Sequence, residues 1–411
     1  MVDTPSATDY RALLRRVDDV VRHIENSDTS GSGELAIPAI LRAIISELKD
    51  DLGIYGGRLY ERSGEHYVLR AVFPDDGDLD AVRIPRNYEP LELTLMRGVV
   101  YMSVDDDRVD RDLEARLGVH EFAAIEVGSE RYVLGFNVAP GHHSDDVVSS
   151  LGVVRHTLNQ KIREQNLESI LHQAKLIQSS ILPRRAPHHP IFDIAGRTEA
   201  LETVGGDLLD FIPIHDKILG LAIADASGHG FPAALQVRDV YTGLRMGLAR
   251  DLKIVTTVER LNRIIQRSTL TSRFVSLFYG EIETNGLFIY VNAGHPPPFR
   301  LRADGRVDFL RDGGPILGPL ADATYDRGFV RLEPGDLLVI YTDGVTETFI
   351  DEGKERHEYG VDRLVETVRT CRGCSSAALV DRIFHALDEF TGGAQRDDDR
   401  TLIVVRYPEE E

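Results

Sequence analysis

The chain has 411 residues, 42% of them hydrophobic and 28% charged, with a formal net charge of −20. That length predicts two or three soluble globular domains, and the acidic balance argues against nucleic acid or an anionic membrane as a main partner. No apolar run is long enough to span a bilayer. No signal-peptide pattern opens the chain, and two cysteines are too few for a disulfide framework, so a cytoplasmic setting is expected.

Residues 1–33 predict a helix followed by a linker. Leu13, Leu14, Val17, Val20, Val21 and Ile24 recur at helical spacing between Tyr10 and Glu25. This helix either packs on its own domain or pairs with a second copy. The NSDTSGSG stretch from Asn26 to Gly33 is composed as a flexible linker.

Residues 34–145 predict a small α+β domain. A second amphipathic helix from Glu34 to about Asp51 precedes short alternating segments at Gly57–Tyr60, His66–Phe73, Val99–Val104, Glu121–Val127 and Tyr132–Val138. Turns such as Asp75-Asp76-Gly77 separate them, as in an antiparallel sheet. By element order, residues 34–160 resemble a GAF domain, a small-molecule sensing module. The resemblance implies a small-molecule ligand without identifying it.

Residues 146–183 predict a helical linker. Leu151, Val154, Leu158 and Ile162 form one stripe, and Leu167, Ile170, Ala174, Ile177 and Ile181 form a second, heptad-like one. The break between them alters local winding, and Pro183 ends the helix. The span reads either as a terminal domain helix plus linker or, the favoured reading, as a parallel coiled coil that joins two copies and carries a signal between domains. His188 and His189 follow in a loop, expected to be solvated.

From residue 184 to 411 the texture is that of one strand-rich domain. Strands are predicted at Phe192–Gly196, Leu208–Ile214, Ile218–Ala224, Phe274–Ile282, Leu287–Val291, Phe299–Leu301, Asp336–Tyr341 and Thr401–Tyr407. Helices are predicted at Pro232–Arg250, Ile254–Ser268, Asp362–Thr370 and Ser376–Phe390. Cys371 and Cys374 form a lone CxxC in a turn, and incidental thiols are expected there.

Four acidic groups share one context. Asp207 opens a strand after Gly205-Gly206, Asp225 closes one, Asp343 follows the run Leu337–Tyr341, and Asp397-Asp398-Asp399 precedes the last strand. If these strand ends converge, several carboxylates meet with no lysine beside them, and such a cluster does not stay ionised unaided. Divalent ions that prefer hard oxygen ligands, Mg²⁺ or Mn²⁺, resolve it. No cysteine or serine nucleophile with a base partner is apparent.

The segments GGDLLDF, ADASGHGFPAAL, NAGHPPP, GGPILG, YTDGVTET and DDDRTLIVV, in that order, resemble the SpoIIE-type branch of the PPM metal-dependent serine/threonine phosphatases, which includes RsbU-like regulators. The resemblance runs from about Gln178 to the C-terminus. It implies an α-β-β-α sandwich with two Mn²⁺ or Mg²⁺ ions that activate a water for in-line attack on a phosphoserine. Asp225 would bridge the ions, Asp343 and Asp398 would complete one, and Asp207 and the Ala226 carbonyl the other. The family often carries aromatic residues at Leu208 and Leu209 and valine at Ala226; neither departure removes a ligand. His229 and His295 are expected to pack and hydrogen-bond near the site. Asp210 and Glu347 stand either beside it or on the plain surface.

The expected protein is thus a sensor-controlled serine phosphatase acting on a phosphorylated STAS-domain anti-anti-sigma factor, as the resemblance implies. Two rivals are a catalytically silent docking regulator and a small-molecule phosphoester hydrolase, since fold and metals do not fix substrate.

Overall fold

The computed structural model describes residues 7–26, 36–74, 82–248, 253–267, 274–352, 355–394 and 396–409. Its contacts divide the chain into two units, Met1–Ile170 and Leu171–Glu411.

The first unit contains α1 (Ala7–Glu25), α2 (Ile37–Leu52), β1 (Ile54–Ser63), β2 (His66–Phe73), β3 (Arg83–Pro85), α3 (Glu89–Arg97), β4 (Val99–Ser103), α4 (Arg111–Arg116), β5 (Glu121–Val127), β6 (Tyr132–Val138) and the start of α5 (Ser144–Ile181). The strands form one antiparallel sheet in the order β3-β2-β1-β6-β5-β4. Strand alternation gives it two apolar faces. Leu59, Ile125, Leu134 and Phe136 meet α1, α2 and α5 on one face, whereas Tyr60, Phe122, Ala124 and Val133 pack with Leu91 and Leu117 on the other.

Leu13, Val17, Val20 and Ile24 of α1 are buried in the first core, which settles that helix as packed on its own domain. Proline near its first turn starts α2, and Gly53 ends it in a left-handed conformation with φ 63°. Helix α3 escaped sequence analysis because it buries only Pro90, Leu91 and Thr94, too few to show a period. The linker from residue 27 and the Asp75-Asp76-Gly77 turn lie outside the described residues. In α5, Val147, Leu151, Val154 and Leu158 are fully buried, while Leu167 is 61% and Ile177 54% exposed. The two predicted stripes therefore differ in environment: the first lies in or against the core, whereas Leu167, Ile170 and Ile177 of the second are exposed and its last residue, Ile181, packs on the core of the second unit.

The second unit contains β7 (Asp193–Glu199), β8 (Asp207–His215), β9 (Ile218–Ala226), α6 (Gly230–Leu248), α7 (Ile254–Arg267), β10 (Val275–Glu283), β11 (Leu287–Ala293), β12 (Phe299–Leu301), β13 (Val307–Phe309), β14 (Gly313–Gly314), β15 (Gly328–Arg331), β16 (Leu337–Tyr341), α8 (Asp343–Thr346), β17 (Phe349–Glu352), β18 (Glu355–Glu358), α9 (Gly360–Thr370), α10 (Ser376–Thr391) and β19 (Arg400–Arg406). One sheet runs β14-β11-β10-β9-β8 with β15 on β11, the other β13-β12-β16-β19-β7.

Leu209, Phe211, Ile223 and Phe278 of the first sheet pack against Leu338, Ile340, Ile403 and Val405 of the second. On the outer faces, α6 and α7 cover one sheet and α9 and α10 the other. The layers are α-β-β-α, as expected. Ala222, Ala224 and Ala226 share the helix-facing core with Ala233 of α6, so small side chains on both elements let the helix approach the strand closely.

Two polar contacts tie the layers together. Asp210 in β8 is buried and accepts two bonds from Arg245 of α6, at 3.0 and 2.9 Å. This corrects the surface reading of Asp210. His295 is buried between the sheets. Its Nε2 lies 3.0 Å from the Tyr341 carbonyl and its Nδ1 2.7 Å from Ser276 Oγ. A carbonyl only accepts, so Nε2 carries the proton and Nδ1 accepts from the serine.

His189 is half-buried and its Nδ1 accepts from the backbone N–H groups of Ile191 and Phe192, so it braces the loop instead of being solvated. Cys371 and Cys374 are joined by a disulfide, which corrects the expectation of incidental thiols.

Burial holds the His295 pKa at about 3, against about 6.5 in an unfolded chain. Between those values the unfolded chain binds a proton that the fold does not, so stability falls as pH drops. Urea unfolding of the second unit at about pH 7.5 and about pH 4 should show wild type losing roughly 2–3 kcal/mol more than His295→Gln. Equal losses in the two proteins would contradict a neutral His295.

Candidate active site

Strand pairing brings the predicted acids together. Asp207 opens β8 and Asp225 stands near the end of β9, and the two are register partners across the antiparallel ladder. Like charges directly opposite destabilise a strand pair. On the second sheet, β16 ends two residues before Asp343, and Asp398-Asp399 lead into its partner β19.

The acids feel one another. Burial pushes the Asp225 carboxyl up to about 9, helped by the charges of Asp207, Asp343, Asp398 and Asp399. Asp207 is driven well above the carboxylate range, chiefly by burial. Asp343 and Asp398 are raised by burial too, with the Glu347 charge contributing at the first and Asp343 at the second.

The fold answers this repulsion only in part. Asp207 Oδ2 accepts from the Thr342 hydroxyl at 2.9 Å and the Thr401 hydroxyl at 2.6 Å. Thr401 also lies 2.7 Å from Thr198 Oγ1. Its single proton goes to the carboxylate, so Thr198 donates to Thr401. Both donors converge on one oxygen, leaving Oδ1 for another partner. Asp225 accepts no hydrogen bond from any described side chain or backbone group.

Asp398 and Asp399 divide their work. The two Asp399 oxygens accept from the backbone N–H of Leu201, at 2.6 Å, and of Gly206. Asp399 is thereby an anchor for the loop leading to Asp207. Among the described residues, Asp398 accepts only the N–H of Asp399, at 2.8 Å. Glycines make the approaches possible: a Cβ on Gly205 would meet Asp399 Oδ2 at 2.7 Å and one on Gly206 the Ala226 carbonyl oxygen at 3.0 Å, while one on Gly344 would fall on the Asp399 carbonyl.

The candidate donors are all hard oxygen: four carboxylates and the Ala226 carbonyl that Gly206 keeps clear. By chemistry and by their uncompensated charge they fit divalent cations. Among the described residues, no three His, Cys, Asp or Glu side chains already stand in ligating geometry. His229 is exposed and its Nδ1 bonds Glu202 at 2.6 Å, while both ring nitrogens of His295 are engaged between the sheets. Glu347 is exposed.

Sequence analysis missed Thr342, Thr401 and the anchoring role of Asp399. It also missed Gln178, whose side-chain amide is buried and exchanges two bonds with Gly205, at 2.6 and 3.0 Å. The Gly205-Gly206 doublet was the available signal, because such a doublet marks backbone that something approaches closely.

A cleft of ≈ 340 Å³ adjoins the site, with Asp398, Gly344, Arg356, Arg396 and Arg400 in its walls. It sets cationic side chains beside the acidic strand ends.

Fold and strand-end site together define a serine phosphatase domain of the PPM, or PP2C, type. The family profile described as Stage II sporulation protein E (SpoIIE) matches residues 215–408. RsbU of Bacillus subtilis, a phosphoserine phosphatase, is 30% identical over 247 residues, which are 59% of this chain and 71% of RsbU. The protein IcfG of Synechocystis sp. is 25% identical over 317 residues, 69% of this chain but only 49% of IcfG. Among solved structures, the SiaA-PP2C domain of Pseudomonas aeruginosa superposes with a TM-score of 0.51 at 18% identity, covering 60% of this chain and 98% of that domain, a likeness of fold. The chain belongs to the SpoIIE-type phosphatase family that contains RsbU.

Thr401→Val removes the shorter of the two donors to a buried carboxylate and should cost about 1–3 kcal/mol in urea unfolding. Thr198→Val, one bond further out, should cost less. Equal costs would show that Asp207 does not depend on the Thr401 proton.

Proposed function

We propose that this chain is a cytoplasmic, sensor-controlled phosphoserine phosphatase that uses two divalent ions, Mn²⁺ or Mg²⁺, and acts on a STAS-domain anti-anti-sigma factor. The observation that carries the reading is the register pairing of Asp207 with Asp225, with the charges of Asp343 and Asp398 acting on Asp225. Asp225 would be shared between the ions. Asp207, through Oδ1, and the Ala226 carbonyl would hold one, and Asp343 and Asp398 the other. When bound, such a pair supplies charge neutralisation and activates water at the phosphoester.

The residues of the chain do the rest. Thr342 and Thr401 fix the Asp207 rotamer, Asp399 holds the Gly206 loop, and Gly344 lets Asp343 and Asp398 approach. RsbU is a phosphoserine phosphatase by name, and this supports phosphoserine as the substrate group. The STAS-domain partner rests on the motif resemblance.

Mn²⁺-dependent release of phosphate from a phosphoserine STAS protein tests the reading. Asp225→Asn should lower it by at least about a hundredfold, beyond the ~10–100-fold expected of an outer-shell change. It should leave stability equal or higher, because it relieves repulsion. Release only from small phosphoesters would favour a small-molecule hydrolase, and no release with any divalent ion a silent docking regulator.

Control is proposed to pass from a GAF-like sensor, residues 34–145, through the helical linker, residues 146–183. The open stripe of Leu167, Ile170 and Ile177 would pair with a second copy. The bonds from Gln178 to Gly205 support this route, since they join the end of α5 to the backbone two residues before Asp207. Gln178→Leu in the full chain should weaken Mn²⁺ activation about tenfold with little change in protein–substrate KM. An unchanged Mn²⁺ dependence would remove Gln178 from the route.

A further inference from the structure

The first unit buries a charge that its core answers only in part. Arg58 lies on β1 with only 4% of its surface exposed. One guanidinium nitrogen, Nη2, bonds Asn137 Oδ1 at 2.8 Å. The other two, Nε and Nη1, are buried without any hydrogen-bond partner. The Tyr60 hydroxyl lies close enough to the guanidinium for the Arg58 charge and a side-chain hydrogen bond to pull against the burial that raises its pKa, yet Nε and Nη1 stay without a partner in hydrogen-bond geometry. A buried cation with two idle donors is costly, and methionine would fill the same place without that cost.

Arg58 lines a cavity of ≈ 50 Å³ on the sheet face covered by α3 and α4. By size it admits about four waters and is too small for a nucleotide. Its walls are mostly apolar, from Tyr60, Leu91, Phe122 and Val133, and Gly135 contributes no side chain to the space. Gly135 is the β6 partner of Arg58, so the void opens beside the guanidinium. Glu114 on α4 also lines it and is buried; its Oε1 accepts from the Tyr88 hydroxyl at 3.3 Å, and it makes no ion pair with Arg58. Burial raises the Glu114 pKa while the Arg58 charge opposes the shift.

We propose that this cavity is a receptor site for a small organic carboxylate, whose anionic end meets the idle Arg58 donors and whose apolar body lies against Tyr60, Leu91, Phe122 and Val133. Charge and shape agree on this class. The guanidinium needs an anionic acceptor, the walls need an apolar body, and the volume limits that body to a few carbons. Glu114, across the cavity, offers an acceptor to any donor the ligand carries at its far end. The inference goes beyond the phosphatase reading, and its binding test is independent of catalysis.

The experiment titrates full-length protein with sodium acetate and sodium propionate by calorimetry, with propionamide as the uncharged control, and follows thermal unfolding of the first unit. At least one acid should bind saturably and raise the unfolding temperature, and the amide should not. Arg58→Met should weaken binding at least about tenfold, while leaving the unliganded unit as stable or more so. Gly135→Val gives a second arm that keeps Arg58 intact. A Cβ at that position meets only Tyr60 Cε2, at 3.8 Å, so the added methyl groups occupy the void and should block binding without unfolding the sheet. Failure of both acids to bind saturably would overturn the proposal. So would amide binding equal to that of its acid, or unchanged acid binding in both variants, and in each case water would be the occupant.

Discussion

Two carboxylates face each other across one rung of a β-ladder, and the C-terminal unit is arranged to hold them there. Asp207 and Asp225 are register partners, at a position where like charges weaken pairing. The surrounding polar contacts oppose that weakness. Two threonine hydroxyls serve one oxygen of Asp207, and Asp399 gives up both of its own oxygens to backbone N–H groups of the approaching loop. None of these contacts reaches Asp225, which keeps a carboxyl pushed up to about 9. A fold that stabilises one member of a repelling pair and leaves the other bare has a place for cations.

The site owes its position to the layers. Asp207 and Asp225 lie in strands of one sheet, Asp343 follows β16 and Asp398 precedes β19 of the other, and the sheets are locked by a shared apolar core and by His295 reaching from Ser276 to Tyr341. The Tyr341 carbonyl is two residues from Asp343, so the clasp lies close to the acids. Side chains on rigid elements hold their geometry better than those on loops, and hydrolysis of a phosphoester by two ions depends on such fixed spacing.

The large elements were legible because they repeat. Strand-length apolar runs ending in Asp-Gly or Asp-Ala, and helices with Leu and Ile at 3.6-residue spacing, appear in the structure within a few residues of their sequence positions. The short edge strands β13, β14 and β15 and the hairpin β17–β18 show no such period and were not legible. The acids were readable as a set, but their division of labour was not. Asp398 and Asp399 are chemically identical neighbours, and only the loop that folds back from Leu201 and Gly206 separates anchor from free carboxylate. Asp210 was ambiguous for a similar reason, since its partner Arg245 lies on a helix 35 residues away. The CxxC spacing fits thiols, a metal site or a disulfide equally until the turn is closed.

The two units break the rule of the apolar interior in opposite senses. The first buries a guanidinium with two donors idle, and the second gathers carboxylates with too few donors to meet them. A structural core would remove either defect by substitution, since methionine fits where Arg58 stands and asparagine where Asp225 stands. Each defect therefore marks a place where the free energy of the unit is completed by something that binds, an anion in one and cations in the other. On this view the charge left unmatched inside each unit says more about its ligand than any residue on its surface does.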